Sequence, residues 1–142
     1  MKDKIFLDTN ILIYQFSSDE FKKKIAISIL EDFFKSGNYV ISYQVIQEFS
    51  NIALGKKKSY FSPSELKNYI NDILIPLCKF FPSPEFYLES LNLKNKYKFS
   101  YYDSLIISAA LEMKCKFLYS EDFQHNQKIG SLRVLNPFLI SK

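Results

Sequence analysis

The sequence has few of the residues that form zinc sites, disulfide frameworks or phosphate-binding loops. Its 142 residues include three glycines, two cysteines, one histidine and no tryptophan. Cys78 and Cys115 lie far apart without a neighbouring His or Cys, so we predict buried, reduced thiols rather than a zinc site or a disulfide. The sequence contains no glycine-rich phosphate loop. His125 lies in a polar stretch, which disfavours Ser-His-Asp or Cys-His catalysis and indicates a surface or turn residue.

Long apolar runs and linker segments are also missing from the sequence. No uninterrupted apolar stretch approaches the roughly 18 residues of a membrane span, and the N-terminus shows no charged leader before an apolar segment. Five prolines and three glycines, without a repeated block or a Ser/Gly-rich tract, indicate no linker. With 47% hydrophobic residues, the sequence predicts a single compact domain over residues 1–142, located in the cytosol and not at a membrane.

The chain is weakly basic and rich in aromatic residues. Its net charge of +4 comes from lysine clusters that include residues 22–24 and 56–58. This balance is compatible with a nucleic-acid partner, although a lysine run is more often a solvated face. The 14 phenylalanines and 10 tyrosines mostly recur at core-like spacing, so we interpret them as packing residues.

Apolar periodicity predicts strands that alternate with helices along the chain. The run Ile5-Phe6-Leu7 indicates a short buried strand, and the next helix should begin after an Asp19 cap and end at Gly37. A strand in "NYVIS" should lead through a Ser42 cap into a second helix that ends before Gly55. Further helices are indicated from Ser62 to about residue 77, from Pro84 to about Tyr97 and in "SYYDSLIISAALEMKC", and further strands in "CKFFPSP", "KFLYS" and "LRVLNP".

This alternation predicts an α/β domain with three α/β/α layers and a mostly parallel central sheet, because parallel neighbours need a crossover helix. In such folds, ligands bind beyond the carboxyl ends of the strands. The residues just after each strand are therefore the candidates for a functional site.

Four acidic residues follow the predicted strands and should meet at this edge of the sheet. Asp8 ends the first strand, and Glu48 lies in the helix after the second. Asp103 begins the most apolar helix, and Asp122 follows "KFLYS". If the strands are neighbours in one parallel sheet, the four carboxylates converge at one rim.

Each of these acids also has a purely structural interpretation. Asp8 or the neighbouring Thr9 can cap a short helix. Glu48 lies at the edge of an apolar helix face, where glutamates are usually solvated. Asp103 can be the third residue of a helix capped by Ser100, a position beside the helix dipole that would also keep the carboxylate ionised.

The other polar residues of the rim leave the same choice open. Ser120, Glu121 or Asp122 can cap the turn that follows the strand. Asn10 can be another capping residue, or its amide can hydrogen-bond Asp8 or a metal-bound water.

A group of carboxylates in one cleft indicates a cofactor. In partly dry surroundings they repel one another, and some would take up protons unless a cation were present. Oxygen ligands suit Mg²⁺ or Mn²⁺, which keep part of their water shell and also bind substrate phosphates. Such ions activate water and offset the charge that builds on a phosphodiester. The group therefore predicts a hard divalent metal and phosphodiester hydrolysis.

The motifs "LDTN", "QEF", "YYDSLIISAA" and "SED" together resemble the PIN-domain family over about residues 4–138. They look in particular like the VapC-type ribonuclease toxins of bacterial toxin-antitoxin pairs, which are single PIN domains of about this length. The resemblance implies a Mg²⁺- or Mn²⁺-dependent endoribonuclease whose catalytic and metal-binding quartet is Asp8, Glu48, Asp103 and Asp122. It also implies an RNA substrate, homodimers and a small antitoxin protein that covers the active site.

The resemblance also implies two supporting residues. The family's usual Thr-x-Asp appears here as Ser120-Glu121-Asp122, so Ser120 would take the place of the threonine and orient the neighbouring carboxylate or a water. Asn10 would steady Asp8. The motif leaves open whether Glu121 or Asp122 reaches the metal.

Two other functions remain open from the sequence. A catalytically silent PIN-like module would bind RNA or protein without cutting, although every expected acid is present. A phosphotransfer or phospho-acceptor domain also has an Asp after its first strand. Aspartyl-phosphate hydrolases usually carry Asp-x-Asp, however, and the second position is here Asn10.

Overall fold

A six-stranded sheet runs through the computed structural model, which describes residues 3–55 and 60–140. In chain order the strands are β1 (Ile5–Leu7), β2 (Tyr39–Ser42), β3 (Cys78–Phe80), β4 (Phe117–Tyr119), β5 (Lys128–Ile129) and β6 (Leu132–Leu135). Across the sheet their order is β3-β2-β1-β4-β6-β5. The neighbours from β3 to β6 run parallel, and β5 pairs with β6 in the antiparallel sense.

Helices separate the strands from β1 to β4, whereas β5 lies between the parallel strands β4 and β6, and a last helix follows β6. The helices are α1 (Thr9–Ile13), α2 (Glu20–Ser36), α3 (Tyr43–Ala53), α4 (Pro63–Tyr69), α5 (Ile75–Leu77), α6 (Pro84–Tyr97), α7 (Tyr101–Glu112) and α8 (Pro137–Ile140). A 3₁₀ turn, Tyr14–Phe16, follows α1, and a π-helical segment, Ile70–Leu74, joins α4 to α5. The predicted three-layer α/β/α architecture with a mostly parallel sheet is confirmed.

Capping residues fix the ends of the longer helices where the sequence predicted them. The Asp19 side chain accepts a hydrogen bond from Lys22 N at 3.2 Å and begins α2. Gly37 ends the helix with φ at 69°, and its N–H donates to Phe33 O at 2.7 Å. This left-handed conformation favours glycine, because a Cβ is strained there. The predicted helix between Asp19 and Gly37 is therefore confirmed.

The helical stretch from Pro63 to Leu77 is confirmed as well, with one irregularity. Ser62 and Glu65 form a capping box at its start. Near its end the chain widens into the π-helical segment, in which the Ile75 N–H donates to Ile70 O. Pro76 accounts for this widening, because its ring clashes with the carbonyl four residues earlier and its nitrogen carries no hydrogen.

The core lies between the sheet and the helices. The strand residues Phe6 and Leu7 are completely buried, and residues 104–110 of α7 are buried as well, which confirms the internal position predicted for that helix. An aromatic cluster packs beside them, in which the rings of Phe49 and Tyr69 are stacked with their centres 4.8 Å apart. Packing does not account for every aromatic ring, since Phe81 is 69% exposed.

The five-residue α1 is the short helix that Asp8 or Thr9 could cap, and Asp8 caps it. The two-residue β5 and the four-residue α8 were not predicted from the sequence. Each is shorter than the window over which apolar periodicity can be recognised. The antiparallel β5 forms through pairing of Lys128 and Ile129 with Arg133 and Leu132 of β6, which is a tertiary contact.

The remaining sequence expectations have mixed outcomes. Cys78 and Cys115 are free and buried, as predicted. His125 lies in a turn, and its half-buried ring accepts a hydrogen bond at Nδ1 from Asn136 N at 2.9 Å. The lysine cluster at residues 56–58 lies outside the described residues. Among the helices of the described residues, none combines the length and the hydrophobicity that crossing a bilayer requires.

The prediction that Ser42 caps α3 is wrong in one respect. Ser42 occupies the N-cap position, but its side chain accepts no capping hydrogen bond. Its hydroxyl is buried and has no hydrogen-bond partner among the described residues. An unpaired buried hydroxyl costs free energy, so it destabilises the folded protein.

We expect replacement of this hydroxyl to be harmless. Ser42→Ala should leave the free energy of unfolding unchanged or raise it by up to about 1 kcal/mol, because it removes an unpaired polar atom. The matched variant Ser90→Ala should lower it by about 1 kcal/mol, because the buried Ser90 hydroxyl donates to Phe86 O at 2.7 Å. Urea unfolding measures both values. An equal loss in the two variants would show that the Ser42 hydroxyl has a partner after all.

Candidate active site

All four predicted acids line one cleft beyond the carboxyl ends of the parallel strands. The cleft has a volume of about 520 Å³, and Asp8, Glu48, Asp103 and Asp122 all contribute to its walls, as does Glu121. A second cavity of similar volume, about 510 Å³, lies along α6 and α7, and none of these acids lines it. The convergence expected from the strand order is therefore present in the structure.

Asp8 is the most buried of the acids, with 5% of its surface exposed. Its Oδ1 accepts a hydrogen bond from Thr9 N at 2.8 Å, which caps α1, and its Oδ2 accepts one from Ser120 Oγ at 2.7 Å. Burial, with a smaller contribution from the charges of Asp122 and Glu48, raises the pKa of Asp8 to about 7 against the opposing effect of these two hydrogen bonds. Capping and a position in the cleft thus occur together.

Asn10 and Ser120 connect Asp8 to Asp122. The Asn10 amide nitrogen lies 3.0 Å from Asp122 Oδ2, 3.3 Å from Ser120 Oγ and 3.4 Å from Asp8 Oδ2. Ser120 Oγ also accepts a hydrogen bond from Asp122 N at 3.1 Å. The two residues predicted to support the site therefore lie between two of its carboxylates.

Glu48 is held by side chains that the sequence analysis did not assign to the site. Its Oε1 accepts a hydrogen bond from Thr9 Oγ1 at 2.8 Å, and its Oε2 lies 3.5 Å from Gln44 Nε2. Gln44 also donates to the backbone oxygen of Tyr102 at 3.3 Å, which ties α3 to the start of α7. The sequence did contain a signal for the contact between Gln44 and Glu48, because the two residues are four positions apart and so lie on the same face of α3.

Asp103 is the third residue of α7, and its N–H donates to the capping Ser100 Oγ at 3.1 Å. This is the position beside the helix terminus that was predicted for Asp103. Burial raises the pKa of Asp103 and the charge of Asp122 adds to this effect, whereas the Ser100 hydrogen bond opposes it.

The adjacent acids Glu121 and Asp122 have different partners. The Glu121 carboxylate accepts hydrogen bonds from the Tyr14 hydroxyl and from Lys22 Nζ, the latter at 3.1 Å. The hydrogen bonds to Glu121 and Tyr14 raise the pKa of Lys22, and burial raises the pKa of Tyr14. Asp122 is exposed and is hydrogen-bonded by Asn10. The expectation of a solvated lysine run therefore fails at Lys22, which is partly buried in an ion pair.

The donor atoms at the cleft suit a hard divalent cation. They are carboxylate oxygens joined by hydroxyl and amide groups, and oxygen ligands of this kind suit Mg²⁺ and Mn²⁺. Burial is the main cause of the raised pKa of Asp8, and the charges of Asp122 and Glu48 add to it, so an ionised Asp8 is unfavourable in the cleft without a counter-charge. Within residues 3–55 and 60–140, however, no three His, Cys, Asp or Glu side chains are arranged as a ready metal-binding group. The chemistry of the donors fits a dication, which Asp8, Glu48, Asp103 and Asp122 would hold.

Comparisons with known proteins agree with this architecture. The family model for the PIN domain matches residues 5–128. A toxin-antitoxin complex from Klebsiella pneumoniae has a similar fold, with a TM-score of 0.67 and 22% identity over 94% of this chain and 98% of that one. FitAcB from Neisseria gonorrhoeae gives a TM-score of 0.61 and 17% identity, covering 94% and 98%.

A structure of FitAB bound to the IR36 DNA fragment is similar too, with a TM-score of 0.59, 22% identity and coverage of 94% and 95%. No curated protein matches the sequence. At these identities the solved structures show a shared fold.

We expect the buried charge of Asp8 to destabilise the protein at neutral pH. Its pKa of about 7 in the folded state exceeds the ordinary value of 3.8, so stability falls as pH rises between these values. Asp8→Asn should therefore raise the free energy of unfolding at pH 8 by roughly 1–3 kcal/mol in EDTA, and the gain should vanish below about pH 4. Thermal unfolding across pH measures this. The exposed Asp72→Asn serves as control, and a destabilised Asp8→Asn protein at pH 8 would contradict the expectation.

Proposed function

This chain belongs to the PIN-domain family, and from that premise we propose that it is a metal-dependent endoribonuclease that hydrolyses RNA phosphodiester bonds as the toxin of a toxin-antitoxin pair. The observation that carries the proposal is the convergence of four carboxylates in one cleft, delivered by separate segments of the chain. Because the carboxylates repel one another and the pKa of Asp8 is raised, a bound dication would stabilise their ionised forms.

The proposed roles follow from the surroundings of each acid. Asp8 and Asp103 are the principal ligands, because Asp8 is buried, Asp103 is half-buried, and both have raised pKa values that a bound cation would lower. Glu48 and Asp122 complete the site or orient waters. When bound, Mg²⁺ or Mn²⁺ supplies an activated water and offsets the charge that develops on the phosphodiester.

The neighbouring polar residues position these acids. Ser120 holds Asp8 Oδ2 and the backbone of Asp122, while Asn10 steadies the carboxylates of both. Thr9 fixes Glu48 through its hydroxyl. These donors are uncharged, so they orient the carboxylates without neutralising them, and the attraction for a cation is preserved.

A catalytically silent PIN-like module is the second candidate function. It is favoured by one observation, namely that the described residues present no ready group of three metal-binding side chains. A silent module would retain RNA equally well with and without EDTA and would leave it intact. A nuclease would cut RNA with Mg²⁺ or Mn²⁺ and stop when EDTA is added. One gel therefore separates the two candidates.

The partners proposed for this chain are RNA, a second copy of the chain and a small antitoxin protein. Support for the antitoxin comes from the similar folds in the Klebsiella complex and in FitAB. The net charge of +4 supports attraction to RNA, which should weaken as salt rises. Light scattering tests the homodimer, and co-purification with the product of an adjacent short reading frame tests the antitoxin.

Loss of a proposed ligand should abolish cleavage while the fold survives. Asp8→Asn and Asp103→Asn should each reduce Mn²⁺-dependent cleavage of mixed cellular RNAs by at least roughly 100-fold, because metal activation of water contributes several kcal/mol. The matched control is Glu112→Gln, which alters an exposed acid on the same helix as Asp103. Circular dichroism checks the fold, and undiminished cleavage in either ligand variant would refute the assignment.

A further inference from the structure

Glu121 and Asp122 are adjacent carboxylates that both line the cleft, and the structure treats them differently. Both oxygens of Glu121 are occupied, Oε1 by the Tyr14 hydroxyl and Oε2 by Lys22 Nζ at 3.1 Å. Asp122 Oδ2 accepts a hydrogen bond from Asn10 Nδ2 at 3.0 Å, and its side chain is exposed. One carboxylate is therefore tied down and the other is available.

Several contacts besides the ion pair hold Lys22 in place. Its Nζ lies 3.2 Å from the Tyr14 hydroxyl, 4.6 Å from the centre of the Tyr14 ring and 5.4 Å from the centre of the Phe138 ring. The Lys22 and Glu121 side chains are only 30% and 23% exposed. Ion pairs and cation–π contacts are stronger in such partly dry surroundings than at an open surface. We refer to Tyr14, Lys22 and Glu121 as the clamp.

We propose that the clamp is a positioning device, in which Lys22 and Tyr14 keep Glu121 from reaching the divalent ion so that Asp122 serves there instead. This inference rests on the proposed function, because it concerns the same ion site. It assigns Asp122, and not Glu121, as the acid that reaches the ion. Lys22 is accordingly a positioning residue and makes no contact with the reacting atoms.

The net charge of the clamp affects how the cleft binds a cation and RNA. Lys22 balances Glu121, so the clamp adds no net charge to a cleft that already holds four carboxylates. Without Lys22, the Glu121 carboxylate is an unpaired fifth acid beside Asp122. A fifth acid repels the phosphates of RNA and offers the cation a competing ligand. Both effects depend on the charge of Glu121, so removing that charge should cancel them.

A double-mutant cycle on the full chain tests this dependence. The proteins are wild type, Lys22→Met, Glu121→Gln and the double variant. Methionine retains an unbranched apolar chain against the rings of Tyr14 and Phe138 and removes the charge. The control Lys24→Met removes an exposed lysine from the same helix, and Lys24 does not line the cleft.

Four quantities are measured for each protein. Calorimetry gives the Mn²⁺ dissociation constant without RNA, and fluorescence anisotropy in EDTA gives the affinity for a labelled single-stranded RNA. The cleavage rate with Mn²⁺ and the melting temperature in EDTA complete the set. The two binding constants report on the clamp independently of catalysis.

Lys22→Met should bind Mn²⁺ several-fold more tightly and RNA roughly tenfold more weakly, and should cut RNA roughly tenfold more slowly, because it exposes one unit of negative charge in the cleft. Glu121→Gln leaves the charge of Lys22 without its partner, so it should shift both binding constants in the opposite sense, with Mn²⁺ bound several-fold more weakly and RNA several-fold more tightly. Lys24→Met should stay within about twofold of wild type for every quantity. The double variant should return to within about twofold of wild type, since the two changes share one interaction.

Three outcomes would overturn the clamp. If the double variant remains as impaired as Lys22→Met, Lys22 contacts RNA directly. If Glu121→Gln weakens Mn²⁺ binding and Asp122→Asn does not, Glu121 is the ligand. If Lys22→Met lowers the melting temperature and all other quantities together, and Lys22→Arg restores none of them, the ion pair has a purely structural role.

The same data keep the clamp separate from the proposed function. A wild-type protein that binds Mn²⁺ and RNA without cutting would defeat the nuclease activity, and the pattern of binding constants among the variants would still decide for or against the clamp. A wild-type protein that binds no Mn²⁺ would overturn both.

Discussion

The burial of a carboxylate at the end of β1 is the constraint on which the rest of the cleft depends. Asp8 is 5% exposed, and the parallel pairing of β1 with β4 fixes its position, because Asp8 N donates to Tyr119 O at 3.0 Å. That pairing brings Ser120 and the residues after it beside the carboxylate. Each neighbour then either stabilises the buried negative charge by donating a hydrogen bond or destabilises it by carrying a charge of the same sign.

The dipoles of hydrogen-bond donors stabilise the negative charge of Asp8. Asp8 receives hydrogen bonds from the backbone of Thr9 and the hydroxyl of Ser120, whereas Lys22 is paired with Glu121. Neutral donors lower the pKa of a carboxylate but leave its charge in place, and burial outweighs them at Asp8, whose pKa is about 7. A proton or an exchangeable cation can neutralise this charge, and the second is what the proposed metal-dependent hydrolysis requires.

Much of the fold could be predicted from local patterns in the sequence, and the details of the site could not. Helix α2 was recognised because Asp19 and Gly37 mark its ends chemically, and α7 because it is apolar on nearly every side. The rim of acids followed from strand order. The partnership of Lys22 with Glu121 joins residues 99 positions apart, and no spacing rule encodes such a contact. Likewise, Thr9 reaches Glu48 only once α1 packs against α3.

The Ser120 hydroxyl has a single proton, and its allocation gives the network a direction. That proton goes to Asp8 Oδ2 at 2.7 Å, so the lone pairs of the oxygen must serve the Asn10 amide and the backbone N–H of residue 122. Polarisation therefore passes from the main chain through one oxygen atom to the carboxylate. The charge of Asp8 is thereby coupled to the backbone of the loop that follows β4.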